Sequence, residues 1–357
     1  MRAIPSPAGP CAVVVAGNAL VDQTPTRTAT GDTAYLPRPG GSCLNVAAGL
    51  GRLGAPASLL ARTSGDHFGD LLRARLAESG TRLTHVPATS DPTTPAAVRL
   101  CDDGSAAYSF HANGAADRGL RPEHLGTLPD AGHLPEAAAL HIGSLGLVLE
   151  PLASKLDGLP RRGTGHRLVS LDPNMRPGLV TDRSCHLRRF TEWVALTDAV
   201  KASEEDLAWF HPGEAYELVA ERRPASGAQL ALVTLGARGT WAAGRTARAH
   251  MPAPVTEVVD TVGAGDAFTA GVLAHLHRTG RLGREGVAEL CPDELAGLLA
   301  YAVGVAADTC TRAGARPPFR RYGLPTPSQP VGRGAAAPPG VPLIGHRSVS
   351  RFPGGWP

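Results

Sequence analysis

A chain of 357 residues is long enough for one large α/β domain or two ordinary ones, and 35 basic against 32 acidic side chains leave a net charge of only +3. The positive charge is almost all arginine spread along the sequence, without the concentrated basic arm that binds nucleic acid, so no nucleic-acid partner is expected. Six scattered cysteines with no Cys-x-x-Cys pair predict reduced, mostly buried thiols in a cytoplasmic protein, without disulfide or zinc, and no window approaches the ~20 apolar residues that span a bilayer.

Residues 1–10 form a proline-bearing lead. Residues 12–16 are an apolar run that reads as a strand buried on both faces, ended by Gly17-Asn18. Asp22 follows either as a side chain entering the crevice beyond that strand or as a surface-turn aspartate. Gly40 and Gly41 let backbone approach a ligand, and the small-residue helix after them can pack closely on a sheet, with Asn45 as a polar position in its first turn. Residues 57–61 read as a strand, and 63–69 lead into a helix through about Ser79. Residues 94–100 and 106–111 flank an Asp-Gly turn as a hairpin.

Residues 137–142 and 168–171 read as further buried strands. The second ends in Asp172-Pro173-Asn174-Met175-Arg176-Pro177, where the Asp-Pro-Asn can cap a turn and the Arg176 guanidinium can hold a phosphate or a sugar oxygen. Residues 198–206 read as a strand entering a helix with an acidic first turn. Residues 229–235 are an apolar strand ending in a glycine loop, where a nucleotide can lie against backbone, and 240–243 resume an extended pattern.

The run from Val259 to Gly271 joins a glycine turn, a carboxylate and a helix start. Successive N–H groups around Gly263 and Gly265 can converge on an anion, and Phe268, Val272 and Leu276 recur as that helix's buried face. Asp266 then sits where it can take a proton from a hydroxyl as phosphate arrives. A P-loop is excluded, because neither Lys155 nor Lys201 follows a glycine, and a dinucleotide fingerprint lacks its third glycine, at Phe268. Pro292-Asp293-Glu294 opens a last helix with an apolar face of Leu295, Leu298, Leu299, Ala302 and Ala306. From about Tyr322 the chain is rich in Pro, Gly, Ala and Arg, and residues 323–357 are expected to be a disordered tail.

The run Asp260-Thr261-Val262-Gly263-Ala264-Gly265-Asp266 with Ala267-Phe268 closely resembles the C-terminal signature of the ribokinase-like, or PfkB, sugar kinases. The resemblance implies a three-layer α/β/α fold over residues 8–322, with a central, mostly parallel sheet and a small β lid formed by residues 18–36 and 91–116. It gives Asp266 the role of catalytic base and Gly263, Ala264 and Gly265 that of the anion hole. It assigns Asp22, Gly40, Gly41 and Asn45 to sugar, the glycine pair and asparagine matching the family's Gly-Gly-x-x-x-Asn-x-Ala signature. The Gly65-x-x-Phe68-Gly69 segment resembles a structural element of the family.

Asp-Pro-Asn-x-Arg-Pro at 172–177 resembles the fructokinase branch and adds Arg176 to the sugar residues; a related Asp-x-Asn-x-Arg occurs in 2-keto-3-deoxygluconate kinases. Lys201 stands where the family often has asparagine, as in fructokinase-like members. It is assigned to nucleotide phosphate, and Glu204 to water-mediated Mg²⁺. Thr234, Gly236 and Gly239 resemble the nucleotide loop. Asp260, Val262, Thr309, Arg312 and Gly314 are implied to place carbonyls around a monovalent cation such as K⁺. Val303 departs from the family's frequent asparagine. The implied activity is ATP-dependent phosphorylation of a small sugar, fructose first, by a protein able to dimerise through lid edges. 2-Keto-3-deoxygluconate or ribose kinase activity, or a non-catalytic sugar-binding role, are the alternatives.

Overall fold

The computed structural model describes residues 11–100, 106–120, 137–159, 167–222 and 227–319. Its frame is an eight-stranded sheet. Five of its parallel strands are β1 (Val13–Ala16), β4 (Ala57–Leu60), β9 (Ala139–Gly143), β10 (Leu168–Asp172) and β11 (Ala199–Ser203). β12 (Leu230–Thr234) continues the parallel run, and β13 (Thr240–Gly244) and β14 (Arg248–Met251) are added antiparallel. The spatial order is β14-β13-β12-β11-β10-β9-β1-β4. β1 is flanked on both sides, with Val13 opposite Ala57 and Ala139.

Every residue of β1 is buried because both faces of the sheet are covered. Val13 and Val15 pack in one core with Leu44 and Leu50 of the helix Ser42–Leu53, Phe268 and Leu273 of Ala264–Arg278, and Leu299 of Pro292–Cys310. Val14 and Ala16 point the other way, into a core with Leu152, Leu156, Phe190 and Trp193 from the helices Leu152–Leu156 and Arg183–Ala195. The strand's alternation thus separates two helix layers.

A separate four-stranded sheet has the order β3-β2-β7-β8, from β2 (Leu20–Arg27), β3 (Thr33–Gly40), β7 (Pro95–Leu100) and β8 (Ala106–Phe110). Its first arm runs to Gly40, four residues past the expected limit at 36, because β2 and β3 stay paired down to Leu20↔Gly40. A short pair, β5 (Thr63–Ser64) and β6 (Ala88–Thr89), completes the strands among the described residues. The helices Leu152–Leu156, Arg183–Ala195 and Tyr216–Arg222, and strand β14, are additions to the sequence reading.

Cys11 and Cys43 are buried, but Cys185 and Cys291 are exposed and Cys310 is half-buried, contrary to the expectation of mostly buried thiols. The exposed pair sit at helix starts, where the chain turns to solvent. Cys101 and the proposed tail at 323–357 lie outside the described residues. Among the described residues, no helix is long and apolar enough to cross a membrane.

Candidate active site

Parallel strands all end at one edge of the sheet, and chain leaving them there lines a cavity of about 820 Å³. Its wall includes Asn18 after β1, Asn174 and Arg176 after β10, Lys201 and Ser203 at the end of β11, and Thr234 with Gly236 and Gly239 after β12. The helix Ala264–Arg278 points its N-terminus at the same space, opened by Gly263 at φ 78°. A side chain at Gly263 would be strained by that φ and would also meet Ala315, whose Cβ lies 2.4 Å from an added Cβ.

The first turn of this helix divides its N–H groups. Ala264 donates to the Thr261 carbonyl (3.1 Å) and Ala267 to that of Gly263 (2.8 Å). The Gly265 and Asp266 amides have no such acceptor among the described residues, and they remain to meet an anion. Of the expected 263–265 turn, Ala264 N is turned back on its own loop, whereas Gly263 N, like Gly265 N and Asp266 N, has no backbone acceptor among the described residues. Lys201 stands behind the turn: its Nζ is 3.1 Å from where a Cβ on Gly265 would be.

The Asp266 side chain is buried and held at both oxygens. Ser42 Oγ donates to Oδ1 at 2.6 Å and Asn45 Nδ2 donates to Oδ2 at 2.9 Å. Both donors lie on the helix Ser42–Leu53, which the Gly41 turn (φ 96°) aims at the cavity. Ser42 was not assigned from sequence. Asn45, assigned to sugar, has its Nδ2 on Asp266, while its Oδ1 is buried without a partner. Asn18 is 1% exposed with neither Nδ2 nor Oδ1 hydrogen-bonded. Such atoms are costly to bury unpaired, and at a cavity wall they point to a polar ligand.

Asp22 lies on β2, across from β3, and only a glycine at 40 leaves it room: a Cβ there would come within 2.1 Å of its Oδ2. Burial, and then repulsion from Asp266, push the Asp22 carboxyl up to about 7 against the pull of Arg176. Arg176 Nη1 is tied to Asn174 Oδ1 (2.7 Å), and its guanidinium lies 5.6 Å from the centre of the Tyr108 ring. Tyr108 and Phe110 of β8 stack and line the cavity, an aromatic wall missed in the sequence because the period-2 pattern of a hairpin does not tell which face meets a ligand.

Lys201 forms a buried ion pair with Asp172 Oδ2 at 3.0 Å. Burial works against the ammonium, but Asp172, Asp206 and Asp266 hold its pKa above the ordinary value. Burial pushes the Asp172 carboxyl up to about 6 against the pull of Lys201. Glu204, expected at the metal, instead pairs with Arg238 and is absent from the cavity wall, which Glu205 and Asp206 share. Ser203 caps the helix through Asp206 N (3.0 Å), and Asp206 Oδ2 accepts from Ser203 N (2.9 Å). This capping box turns the third helical residue back to the loop and the first one outward. Asp206 Oδ1 also accepts from Met175 N at 2.7 Å, fixing the turn that carries Arg176.

The residues expected around a monovalent cation come together as two loops. Val259 N and Asp260 N donate to the Cys310 carbonyl, and Asp260 accepts from Val262 N (2.9 Å) and Gly314 N (2.7 Å). Thr309 is buried and bonded to Val305 O, while the Arg312 side chain turns to Asp308. Pro254, Val255, Val258, Val303 and Ala306 give the cavity an apolar part of its wall.

A family model described as pfkB family carbohydrate kinase matches residues 14–320. A fructokinase of Rhizobium leguminosarum bv. trifolii is 35% identical over 278 residues, 78% of this chain and 83% of the relative. Among solved structures, the fold is similar to a fructokinase of Xylella fastidiosa with bound ATP, at TM-score 0.77 and 29% identity over 85% of this chain and 93% of that one. It is also similar to a fructokinase of Vibrio cholerae O395 in a fructose, ADP and calcium ion bound form, at TM-score 0.72 and 26% identity over 85% and 94% of the two chains.

Proposed function

Since this chain belongs to the PfkB family of carbohydrate kinases, we propose that it phosphorylates fructose with Asp266 as general base. It is an ATP-dependent sugar kinase, a phosphotransferase with an alcohol acceptor. One observation carries the assignment of roles: a carboxylate fixed by Ser42 and Asn45 at the start of a helix whose next free amides face the same cavity as Asp22 and Asn18.

In this reading Asp22, Asn18 and the Gly41 backbone take the sugar hydroxyls, and Asn45 Oδ1 supplies a further acceptor. Tyr108 and Phe110 cover the sugar from the small sheet, which acts as a lid that excludes water and limits futile ATP hydrolysis. The apolar wall of Val255, Val258 and Val303 takes the adenine, and the Gly236–Gly239 loop lies along the nucleotide.

A hydroxyl oxygen of the sugar attacks the γ-phosphorus while its proton passes to Asp266. The new O–P bond forms as the bond from the γ-phosphorus to the β,γ-bridging oxygen breaks, and ADP leaves with that electron pair. The Gly265 and Asp266 amides, with the helix dipole and Lys201 behind them, offset charge on the phosphoryl oxygens. Mg²⁺ bound to the phosphates would supply further neutralisation, and Glu205 and Asp206 are the wall carboxylates suited to orient its waters. K⁺ is assigned to carbonyls of the joined 260–262 and 309–314 loops, where it would stiffen the anion turn.

The test is coupled ADP release from purified protein with MgATP and K⁺, with fructose, 2-keto-3-deoxygluconate, ribose or no sugar. The reading predicts the highest kcat/KM for fructose. A higher value for either of the others moves the substrate, and sugar-independent or absent turnover contradicts the role assigned to the cavity.

A further inference from the structure

A second cavity, of about 470 Å³, lies where the small sheet, the helices Ser42–Leu53 and His67–Glu78, and the segment after residue 313 meet. Four guanidinium groups from distant parts of the chain line it: Arg38, Arg52, Arg75 and Arg316. Glu78 is the single carboxylate residue on its wall, and no ion pair joins any of the four arginines to an acid among the described residues. The Nε atoms of Arg38 and Arg52 are buried without a hydrogen-bond partner.

Like charges do not converge in a half-buried space without a reason. Arg75 Nη2 donates to the Ala315 carbonyl at 2.6 Å, and the Arg52 guanidinium lies over the Phe319 ring at 3.9 Å, so two of the groups are fixed in place. Burial, and then Arg75, Arg312 and Arg316, push Arg52 down to about 10, while Glu78 relieves only part of this. Residues 320–357 contain no aspartate or glutamate. Planar guanidinium forks with unsatisfied donors match phosphate oxygens, which accept two parallel bonds from each.

We propose that this cavity binds a small phosphorylated anion, separate from the nucleotide in the active site. The wall it shares with the closing segment joins the two sites: Gly314 N holds Asp260, and Ala315 packs against Gly263 at the anion turn. An anion drawing Arg316 and Arg75 together fixes that segment and so steadies the turn.

Calorimetric titration of the full chain tests this, with the active site first saturated by a non-hydrolysable ATP analogue and Mg²⁺. Inorganic phosphate, pyrophosphate and a hexose bisphosphate are titrated in separate arms. The expected result is saturable one-to-one binding in at least one arm, the tightest naming the source. Affinity should fall by about tenfold or more in Arg52→Gln/Arg316→Gln, as loss of two charge-assisted bonds requires. The variant must keep wild-type affinity for the ATP analogue; should it not, Arg38→Gln replaces it. Absence of saturable binding in every arm, or unchanged affinity in a variant that still binds nucleotide, would overturn the proposal.

Discussion

Burial and the nearby Asp266 carboxylate raise Asp22 from its ordinary 3.8 to about 7, so between those values the folded protein keeps a proton that the unfolded chain has released. Stability from this group is therefore complete below about pH 4 and is lost as pH rises to 7 and beyond. Asp22→Asn, neutral throughout, should be more stable than the wild type at pH 8 by on the order of a few kcal/mol, with no gap near pH 4. Urea denaturation at the two pH values measures it, and equal stabilities at pH 8 would show that Asp22 bears no such burden. The same variant should lose sugar affinity, a trade of activity against stability expected where a site is built from buried charge. Asp266 was legible in the sequence because it stands in a glycine turn at a helix start, and Asp22 because it follows closely on the first apolar strand and the resemblance assigns it to sugar. Asn18 and Ser42 were not singled out, since what marks them is a pair of unsatisfied amide atoms and a 2.6 Å bond to a residue 224 positions away.

At the scale of elements, two close approaches decide the site. β3 can lie against Asp22 of β2 only with glycine at 40. Gly40→Ala should displace the carboxylate and raise KM for sugar by about tenfold, the worth of one charged hydrogen bond, with KM for ATP nearly unchanged; steady-state kinetics in both substrates checks the split. β10 and β11 are joined by the buried Asp172–Lys201 pair, to which Thr269 Oγ1 adds a long 3.4 Å bond. Asp172→Asn leaves an ammonium buried without its partner and should destabilise by about 3–5 kcal/mol, while Asp172→Leu/Lys201→Met should lose less than the two single changes together. Additive losses in a denaturation double-mutant cycle would contradict the coupling.

Glycine loops and apolar strands were readable here because their local rules are strict. Which acid of Glu204-Glu205-Asp206 meets the cavity depends on helix phase, and Ser203-x-x-Asp206 was the signal that fixes it. The helix Arg183–Ala195 had its own signal, in Asp182 as cap and in His186, Phe190, Trp193 and Val194 on one face.

For the whole molecule, a parallel sheet covered on both faces follows from alternating strand and helix patterns and short apolar runs, so the fold class was legible, while the strand order is given by the structure alone. The arginine cavity was not, because Arg38, Arg52, Arg75 and Arg316 are brought together only by the fold. We propose that residues 8–322 suffice for catalysis, so a chain ending at Tyr322 should keep kcat and KM within about twofold, since surface changes away from the site are worth ±0.5 kcal/mol. A large loss in the coupled assay would give the last 35 residues, 323–357, a part in the site.

The central claim is that Asp266 removes the proton of the bound sugar, and the decisive measurement is fructose turnover and fructose affinity in Asp266→Asn beside the wild type. Asparagine keeps the shape but cannot take a proton, so the account predicts a kcat lower by about 10²–10⁴-fold, with calorimetric fructose affinity within a few-fold of wild type. Near-normal turnover in a variant that binds fructose would contradict it.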